Sequence, residues 1–229
     1  KSNLLSYLTL RGGTAVGKAG IQYNGTASNF VFEGCTVISN YYGVYSAVPQ
    51  VFTLRNTLIA RNTSHAIYFF FGWYGYNTAA GTVYLQNCTV ADNGGYGFLL
   101  LGINPDWSDV VPVALNSLFT VNNGYGIYKR GTGPGGVVSN CLFYGNTNGP
   151  IYAHTPLALG GNKSRIPRYA DAAANDYSLQ PSSPAVAAGM DLSALGVTND
   201  MLSVARPQGS WDMGAFEVSG TGEGPLTNS

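Results

Sequence analysis

Apolar and polar residues alternate in short segments of this chain. In one segment the apolar residues are Phe30 and Phe32 and then, after a step of three rather than two, Cys35 and Val37. A period of two predicts strands rather than helices, and the longer step predicts a bend between two short strands. The segment around Cys88 repeats this arrangement.

Five aligned units share the pattern, and two positions define each unit. A small residue occupies an anchor position, and an asparagine follows it five residues later. A unit of this length cannot bury its own apolar face. The copies are therefore predicted to stack into a solenoid, with the anchors in an interior row and the asparagines in a corner column. The anchors are Cys35, Thr57, Cys88, Ser117 and Cys141, and the asparagines are Asn40, Asn62, Asn93, Asn122 and Asn146.

The bends and the closing steps of the units contain two further columns. Four units carry a second asparagine directly before the anchor, where this residue type tolerates left-handed backbone angles and hydrogen-bonds the turn. An apolar–tyrosine step closes most units, which predicts an outward-facing tyrosine column interrupted by Leu99. This column either stabilises the sheet as a ladder or forms a surface for a glycan or a partner. The bend residues are Asn56, Asn87, Asn116 and Asn140, and the tyrosines are Tyr23, Tyr45, Tyr68, Tyr128 and Tyr152.

The repeat sets the predicted domain organisation. A divergent first unit begins near Asn3, and the repeat is lost after about residue 155, where residues 155–168 indicate a loop. We predict β-helix coils over residues 1–155, then C-terminal coils and a closing segment of the same domain over 156–218. Residues 219–229 are small and polar, as in a flexible tail or linker. The chain opens inside a repeat-like segment, which suggests a mature or excised piece of a longer precursor.

Composition and cysteine spacing remove several functional classes. Eleven basic residues balance eleven acidic ones, so electrostatics give no reason to expect nucleic acid or an anionic membrane as a partner. No run of about 18 apolar residues is present to span a bilayer. The three cysteines lack metal-ligand spacing. Anchors in alternate coils would lie ~9–10 Å apart, too far for a disulfide, so we predict three buried thiols.

The motifs along the chain also resemble a known family. The segments LTLRGG, NCT and GIY, together with LQPSSPAVAAG and RPQGSWDMGAFE, look like secreted bacterial β-helix proteins of the choice-of-anchor Q type, in the pectate-lyase-like superfamily. The resemblance covers about Leu4 to Val218. It implies an all-β, right-handed, single-stranded parallel β-helix of about six or more coils with a C-terminal closing segment. It also implies a late strand over 212–218, where Asp212 could pair with Arg206.

The relatives implied by this resemblance include polysaccharide lyases and glycan hydrolases, whose catalytic groups would form columns along the coils. Such enzymes need ionisable groups at the same register of adjacent coils. Glu33 and Arg55 fall in neighbouring coils, as do Arg61 and Asp92, but neither column supplies two carboxylates, and surface ion pairs are the favoured explanation of both. His65 lies in a turn near Arg61. If the chain is an enzyme, the candidates are Arg55, Arg61, His65 and Asp92.

Two long insertions are rich in aromatic residues. They either fold back as a local minicore or form a contact surface for a glycan or a protein. Asp106 and Asp109 flank Trp107 in the second insertion and could bind a cation such as calcium or a sugar hydroxyl, or stay solvated. Nothing else in the sequence indicates a metal or a cofactor. The candidate contact residues are Phe70, Phe71, Trp73, Tyr74, Tyr76, Asp106, Trp107 and Asp109.

Two functions from different classes fit these observations. The first is an extracellular or cell-surface module without catalytic activity, structural or adhesive, whose aromatic loops contact a glycan or a protein. No capping helix precedes the first coil, so either an upstream segment has been removed or another copy covers that end, and in the second case copies would stack end to end into a filament. The alternative is a polysaccharide lyase or a glycoside hydrolase that acts on an extracellular glycan.

Overall fold

The computed structural model describes residues 3–23, 29–47, 51–71, 81–102 and 110–218, and these residues form a parallel β-solenoid. Three sheets run along it, with strands numbered in chain order. The first sheet contains β1 (Asn3–Ser6), β4 (Phe30–Glu33), β7 (Val51–Arg55), β10 (Gly81–Gln86), β13 (Val110–Leu115), β16 (Val137–Ser139) and β19 (Ala158–Gly160). The second contains β2 (Thr9–Leu10), β5 (Thr36–Ile38), β8 (Leu58–Ala60), β11 (Thr89–Ala91), β14 (Leu118–Thr120), β17 (Leu142–Tyr144) and β20 (Lys163–Ser164). The third contains β3 (Ala19–Tyr23), β6 (Tyr42–Ser46), β9 (Ile67–Phe71), β12 (Phe98–Gly102), β15 (Tyr125–Arg130) and β18 (Gly149–Ala153).

Each of the first six rungs adds one strand to each sheet, the seventh adds β19 and β20 to the first two sheets, and neighbouring rungs pair in parallel. The predicted all-β parallel β-helix is therefore confirmed. The repeat continues further than the sequence indicates, because β19 and β20 lie within the predicted loop at 155–168. Its signal is hidden there by Asn162, whose Oδ1 accepts a hydrogen bond from the Cys141 N–H at 2.9 Å. An asparagine thus fills the row that cysteine, serine or threonine occupies elsewhere.

The interior is a continuous apolar core. Inward-facing side chains of all three sheets are buried, among them Phe52, Leu85 and Phe98, and each contributes about 1.5–3 kcal/mol through burial. The anchor residues are buried as predicted, and the three cysteines carry free thiols. Burial raises the pKa of the Cys88 and Cys141 thiols to about 12. These thiols therefore act as small apolar side chains.

The asparagines five residues after the anchors form a buried ladder at the corner between the second and third sheets. Each Nδ2 donates to the Oδ1 of the asparagine in the next rung. The distances are 3.2 Å from Asn40 to Asn62 and 2.9 Å for each of the following pairs, which end at Asn146. The same Oδ1 atoms accept the backbone N–H of the preceding rung's asparagine. The ladder thus provides hydrogen-bond partners for buried backbone N–H groups and side-chain amides at the corner, where the chain leaves the sheets.

A C-terminal segment, residues 165–218, covers the outer face of the second sheet. It contains the antiparallel strands β21 (Tyr169–Asp171) and β22 (Asp176–Leu179) and two short 3₁₀ helices, Ala172–Ala174 and Ser193–Leu195. Tyr177 and Met201 pack on Leu58 and Ala91, and Met213 packs on Leu118. The second sheet is therefore sandwiched between the interior core and this segment.

The bend asparagines hold the C-terminal segment. They adopt the left-handed backbone region, with φ between 46° and 51°, as their position before the anchor predicts. Their side chains point outward and bind carbonyl oxygens of the segment. The Nδ2 bonds run from Asn56 to Asn199 (2.7 Å), from Asn87 to Asp212 (3.0 Å), from Asn116 to Met190 (2.7 Å) and from Asn140 to Ala188 (3.2 Å).

Two expectations for this segment are wrong. Residues 212–218 form no strand, because the Asp212 carboxylate accepts backbone N–H groups of Ala187 and Val218 instead. Arg206 pairs with Glu217 rather than with the Asp212 side chain, at 2.6 Å between Nη1 and Oε2. Asp212 contributes its backbone carbonyl to the same guanidinium.

Candidate functional site

The outer face of the third sheet carries two adjacent columns of rings, which we call the aromatic surface. One column follows the strand register from Tyr45 through Tyr68 and Leu99 to Tyr128 and Tyr152. The second column lies three residues earlier in four successive rungs. The aromatic surface consists of Tyr42, His65, Tyr96 and Tyr125 in that earlier column and of Tyr45, Tyr68, Tyr128 and Tyr152 in the later one.

The rings of the aromatic surface contact one another across the rungs. Tyr42 lies 5.2 Å from Tyr68, and Tyr128 lies 4.8 Å from Tyr152 in a stacked arrangement, measured between ring centroids. At ~4.8 Å per strand, the later column from Tyr45 to Tyr152 extends for ~19 Å. The rings are half-buried, and Tyr152 is exposed. Mutual packing fixes their orientations and leaves outward faces and hydroxyl groups available for contact.

Tyr23 does not belong to the column in which the sequence placed it. Gln22, not Tyr23, pairs with Tyr45, because Ile21 points inward and pairs with Val44. Strict alternation then turns Gln22 outward. The sequence analysis did not predict the earlier column. Its signal is nevertheless present in four rungs, where an aromatic residue stands three positions before the residue of the later column.

His65 lies within the aromatic surface as a neutral acceptor. Its Nδ1 accepts the backbone N–H of Tyr96 at 3.0 Å, and its ring lies among those of Tyr42, Tyr68 and Tyr96. Burial lowers the pKa of His65 to about 4. Burial, followed by the nearby Tyr42 and Tyr45, also raises the pKa of Tyr68 to about 12. At neutral pH these groups therefore offer hydrogen bonds without formal charge.

Acidification is expected to destabilise the protein through His65. The unfolded imidazole gains its proton near pH 6.5 and the folded one near pH 4, so the unfolded state binds more protons between these values. The stability contributed by neutral His65 is fully present above pH 6.5 and is lost as the pH falls towards 4, by about 2–3 kcal/mol. Chemical denaturation at several pH values measures this slope.

The matched variants for this experiment are His65→Asn and His154→Asn. In the first variant the introduced amide oxygen can replace the imidazole Nδ1 as acceptor but cannot titrate, so the acid-dependent loss should shrink. His154 is exposed, and its replacement should leave the slope unchanged. An identical pH dependence in wild type and His65→Asn would contradict this assignment.

The other catalytic candidates are bound by the protein itself. The Arg55 guanidinium donates to Gln86 Oε1 and to the carbonyls of Leu195 and Gly196, and it lies 3.8 Å from the Glu33 carboxylate. Through these contacts Arg55, the last residue of β7, holds the C-terminal segment against the first sheet.

Arg61 and Asp92 meet at a buried tyrosine rather than in an open cleft. Arg61 Nε donates to the Tyr177 hydroxyl at 3.1 Å, and that hydroxyl donates to Asp92 Oδ2 at 2.7 Å. Arg61 also donates to the carbonyls of Ala172 and Ala173. The structure therefore brings Arg61 and Asp92 together, where they hydrogen-bond the C-terminal segment. It places His65 separately, on the aromatic surface.

Most of the predicted loop residues lie outside the described part of the chain. These are Trp73, Tyr74, Tyr76, Asp106, Trp107 and Asp109, and nothing is assigned to the Phe71 side chain. Phe70 is half-buried in β9 and contacts Tyr68, with 5.8 Å between centroids. It extends the ring contacts beyond the aromatic surface. Within the described residues, no group of three or more His, Cys, Asp or Glu side chains is arranged to hold a metal ion.

The relationship to known proteins follows from the same rungs. Residues 2–163 match the family model described as a right-handed beta helix region. The chain belongs to the right-handed β-helix family. The crystal structure of pectate lyase Pel9A is similar to this β-helix protein, with a TM-score of 0.59 and 15% sequence identity. The match covers 94% of this chain and 65% of the lyase chain, and it shows a shared fold alone.

A search of curated proteins gave no match. Among the residues that the structure describes, no helix has the length and apolarity needed to cross a membrane.

Proposed function

We propose that this β-helix protein is a carbohydrate-binding module that uses the aromatic surface on its third sheet. The observation that carries the proposal is the pair of ring columns, the earlier one over four consecutive rungs and the later one interrupted by the buried Leu99. Sugar rings present apolar C–H faces, which pack on aromatic rings, and hydroxyl edges, which hydrogen-bond tyrosine and neutral histidine. A column with a ~4.8 Å repeat suits an extended chain better than a single sugar.

The location of the ionisable candidates favours binding over catalysis. Arg55, Arg61 and Asp92 hold the C-terminal segment, and His65 is neutral with its Nδ1 already bonded. A role as an extracellular, adhesive protein of the choice-of-anchor Q type fits this proposal and stays a prediction.

The proposal is tested by measuring glycan binding of Tyr68→Ala. Tyr68 contacts Tyr42, Tyr45 and His65, so its removal disrupts the middle of the aromatic surface. Calorimetry against dextran, cellohexaose, xylohexaose, mannohexaose and chitohexaose should show binding of at least one, weakened about tenfold or more in the variant, equal to about 1.4 kcal/mol.

Tyr84→Ala is the matched control, because Tyr84 is a half-buried tyrosine on a different sheet, in β10. It should bind like the wild type, and circular dichroism should show that both variants are folded. Equal loss in the two variants, or no binding of any probe by the wild type, would defeat the proposal.

The lyase or hydrolase alternative is checked with the same probes. New reducing ends or unsaturated ends after prolonged incubation would support an enzyme. Activity that survives Arg61→Ala and Asp92→Ala would exclude those two residues as its catalytic groups. The fold shared with a pectate lyase favours this alternative only at the level of architecture.

End-to-end assembly is a further proposal with its own observation. Apolar side chains of the first rung are exposed, with Leu4 at 58%, Leu5 at 44% and Leu8 at 39%, and among the described residues β1 is the end strand of the first sheet. Sedimentation over a wide concentration range should show growing species for the wild type, and fewer for Leu4→Lys. A monomer at every concentration would contradict assembly.

A further inference from the structure

The last rungs of the solenoid concentrate positive charge. Residues 110–170 contain five basic residues and no acidic one, although the whole chain is balanced at eleven of each. Lys129 is buried in the core. The others are Arg130, which is exposed at the end of β15, and Lys163, Arg165 and Arg168, which lie together at the C-terminal end of the solenoid.

Three of these cations line a double cleft. One part, of about 430 Å³, is lined by Asn162, Lys163, Ser164, Arg165 and Pro184. The second part, of about 300 Å³, shares Arg165 and Pro184 and adds Arg168 and Ser182. None of the described residues that line the two parts is a carboxylate, so the positive potential inside is not neutralised locally.

The cations are positioned by backbone carbonyls rather than by ion pairs. Lys163 Nζ donates to the Pro184 carbonyl at 2.9 Å, and Arg168 Nη1 donates to the Ser182 carbonyl at 3.0 Å. Arg165 Nη1 donates to the Ser164 carbonyl at 3.1 Å. Within the described residues, the salt bridges involve Arg55 and Arg206 instead. The cleft therefore holds two forked guanidinium groups and an ammonium group that form no salt bridge with a described carboxylate.

The nearest acidic residue in sequence, Asp171, is turned towards another rung. Its carboxylate accepts the backbone N–H of Ala174, and the neighbouring Ala172 carbonyl binds Arg61. Arg61 follows β8, four strands along the second sheet from β20. At ~4.8 Å per strand, that rung lies ~19 Å from the one that carries Lys163.

A smaller depression links the cleft with the aromatic surface. It has a volume of about 70 Å³, shares Ser164 with the larger cleft and is lined by Gly149 and Pro150. These two residues begin β18, the strand that carries Tyr152. A polymer on the aromatic surface can thus place a substituent in the cleft.

We infer that the cleft binds a tetrahedral oxyanion, the sulfate or phosphate group of a substituted glycan. Arginine forks match the oxygen geometry of such groups, and their charge-assisted hydrogen bonds are stronger than neutral ones. The oxyanion specificity rests on the cleft alone. That the carrier is a glycan rests on the proposed function.

The test compares dextran sulfate with unsulfated dextran on the wild-type protein and on Arg165→Gln/Arg168→Gln. The wild type should bind dextran sulfate more tightly than dextran, and the preference should weaken as salt is added. The double variant should lose at least about tenfold in affinity for dextran sulfate, since two charge-assisted contacts are removed. Competition by inorganic sulfate and by phosphate shows which group the cleft prefers.

Arg11→Gln/Lys18→Gln is the charge-matched control, because both residues are exposed at the opposite end of the solenoid. It should retain the wild-type affinity. An equal loss of dextran sulfate affinity in both double variants, or no preference for dextran sulfate in the wild type, would overturn the assignment of an oxyanion site to the cleft. If Tyr68→Ala leaves dextran sulfate binding intact while the cleft variant abolishes it, the oxyanion site stands and the proposed role of the aromatic surface fails.

Discussion

Asn93→Ala is expected to lower the free energy of unfolding by at least ~3 kcal/mol. The Asn93 Nδ2 donates to Asn122 Oδ1 and to the Ile59 carbonyl, at 2.9 and 3.2 Å. Its Oδ1 accepts both the backbone N–H and the Nδ2 of Asn62, at 3.1 and 2.9 Å. Alanine removes these four bonds and a fifth, from Nδ2 to the Ala91 carbonyl at 2.9 Å, and it leaves several buried groups unpaired, each costing ~1–3 kcal/mol.

Chemical denaturation followed by circular dichroism measures this loss, and Asn123→Ala provides the control. Asn123 is an exposed asparagine in a neighbouring rung, and its side-chain oxygen accepts a bond from the Thr147 hydroxyl. Its replacement should change stability by less than ~0.5 kcal/mol. If the two variants were equally stable, the ladder would not be a main support of the solenoid.

Arg206→Met is expected to lower the free energy of unfolding by about 3–5 kcal/mol, because it leaves the buried Glu217 carboxylate without its cationic partner. Arg206 binds Glu217 Oε2 at 2.6 Å and Asn56 Oδ1 at 2.9 Å, and its guanidinium lies 5.4 Å from the Trp211 ring centroid. It therefore joins the C-terminal segment to the bend residue Asn56. Burial, and then the nearby Asp212, already raise the pKa of Glu217 to about 7.

The pH dependence distinguishes this mechanism from a loss of packing. Without Arg206, the folded-state pKa of Glu217 rises further above its ordinary 4.5. Stability that is present below pH 4.5 is then lost as the pH rises through the higher folded value. The penalty of Arg206→Met should accordingly be larger at pH 8 than at pH 5. Adding Glu217→Met should recover part of it, whereas Arg130→Met on the surface should cost little.

Fixed spacing explains why the solenoid could be predicted from the sequence. The anchors and the ladder asparagines recur five residues apart, and stacked strands turn an equal spacing into a column. The same spacing explains the wrong placement of Tyr23. In the other rungs that contribute a tyrosine to the column, that tyrosine directly follows the inward apolar residue, whereas in β3 Gln22 lies between the inward Ile21 and Tyr23.

The C-terminal segment could not be predicted in the same way. It has no period, and its contacts join residues far apart in sequence, such as Arg206 with Asn56 and Tyr177 with Asp92. Arg61 and Asp92 therefore looked like catalytic candidates, although each binds a tyrosine that arrives from 85 or more residues away. The strand register shows that Arg61 and Asp92 lie in neighbouring rungs, but it does not show that Tyr177 of the C-terminal segment covers them.

The candidate site was only partly visible for a related reason. The later ring column was expected because it follows the apolar–tyrosine steps. The basic cleft was not expected, since Lys163, Arg165 and Arg168 lie beyond the recognised repeat and meet Ser182 and Pro184 only after the C-terminal segment folds back.

The most direct test of the proposed function is an NMR titration of protein labelled at its tyrosine rings with the tightest-binding oligosaccharide. The account predicts that signals of Tyr45, Tyr68, Tyr128 and Tyr152 shift together and saturate at one affinity, while Tyr84 and the buried Tyr177 do not move. Shifts confined to tyrosines outside the aromatic surface would contradict it.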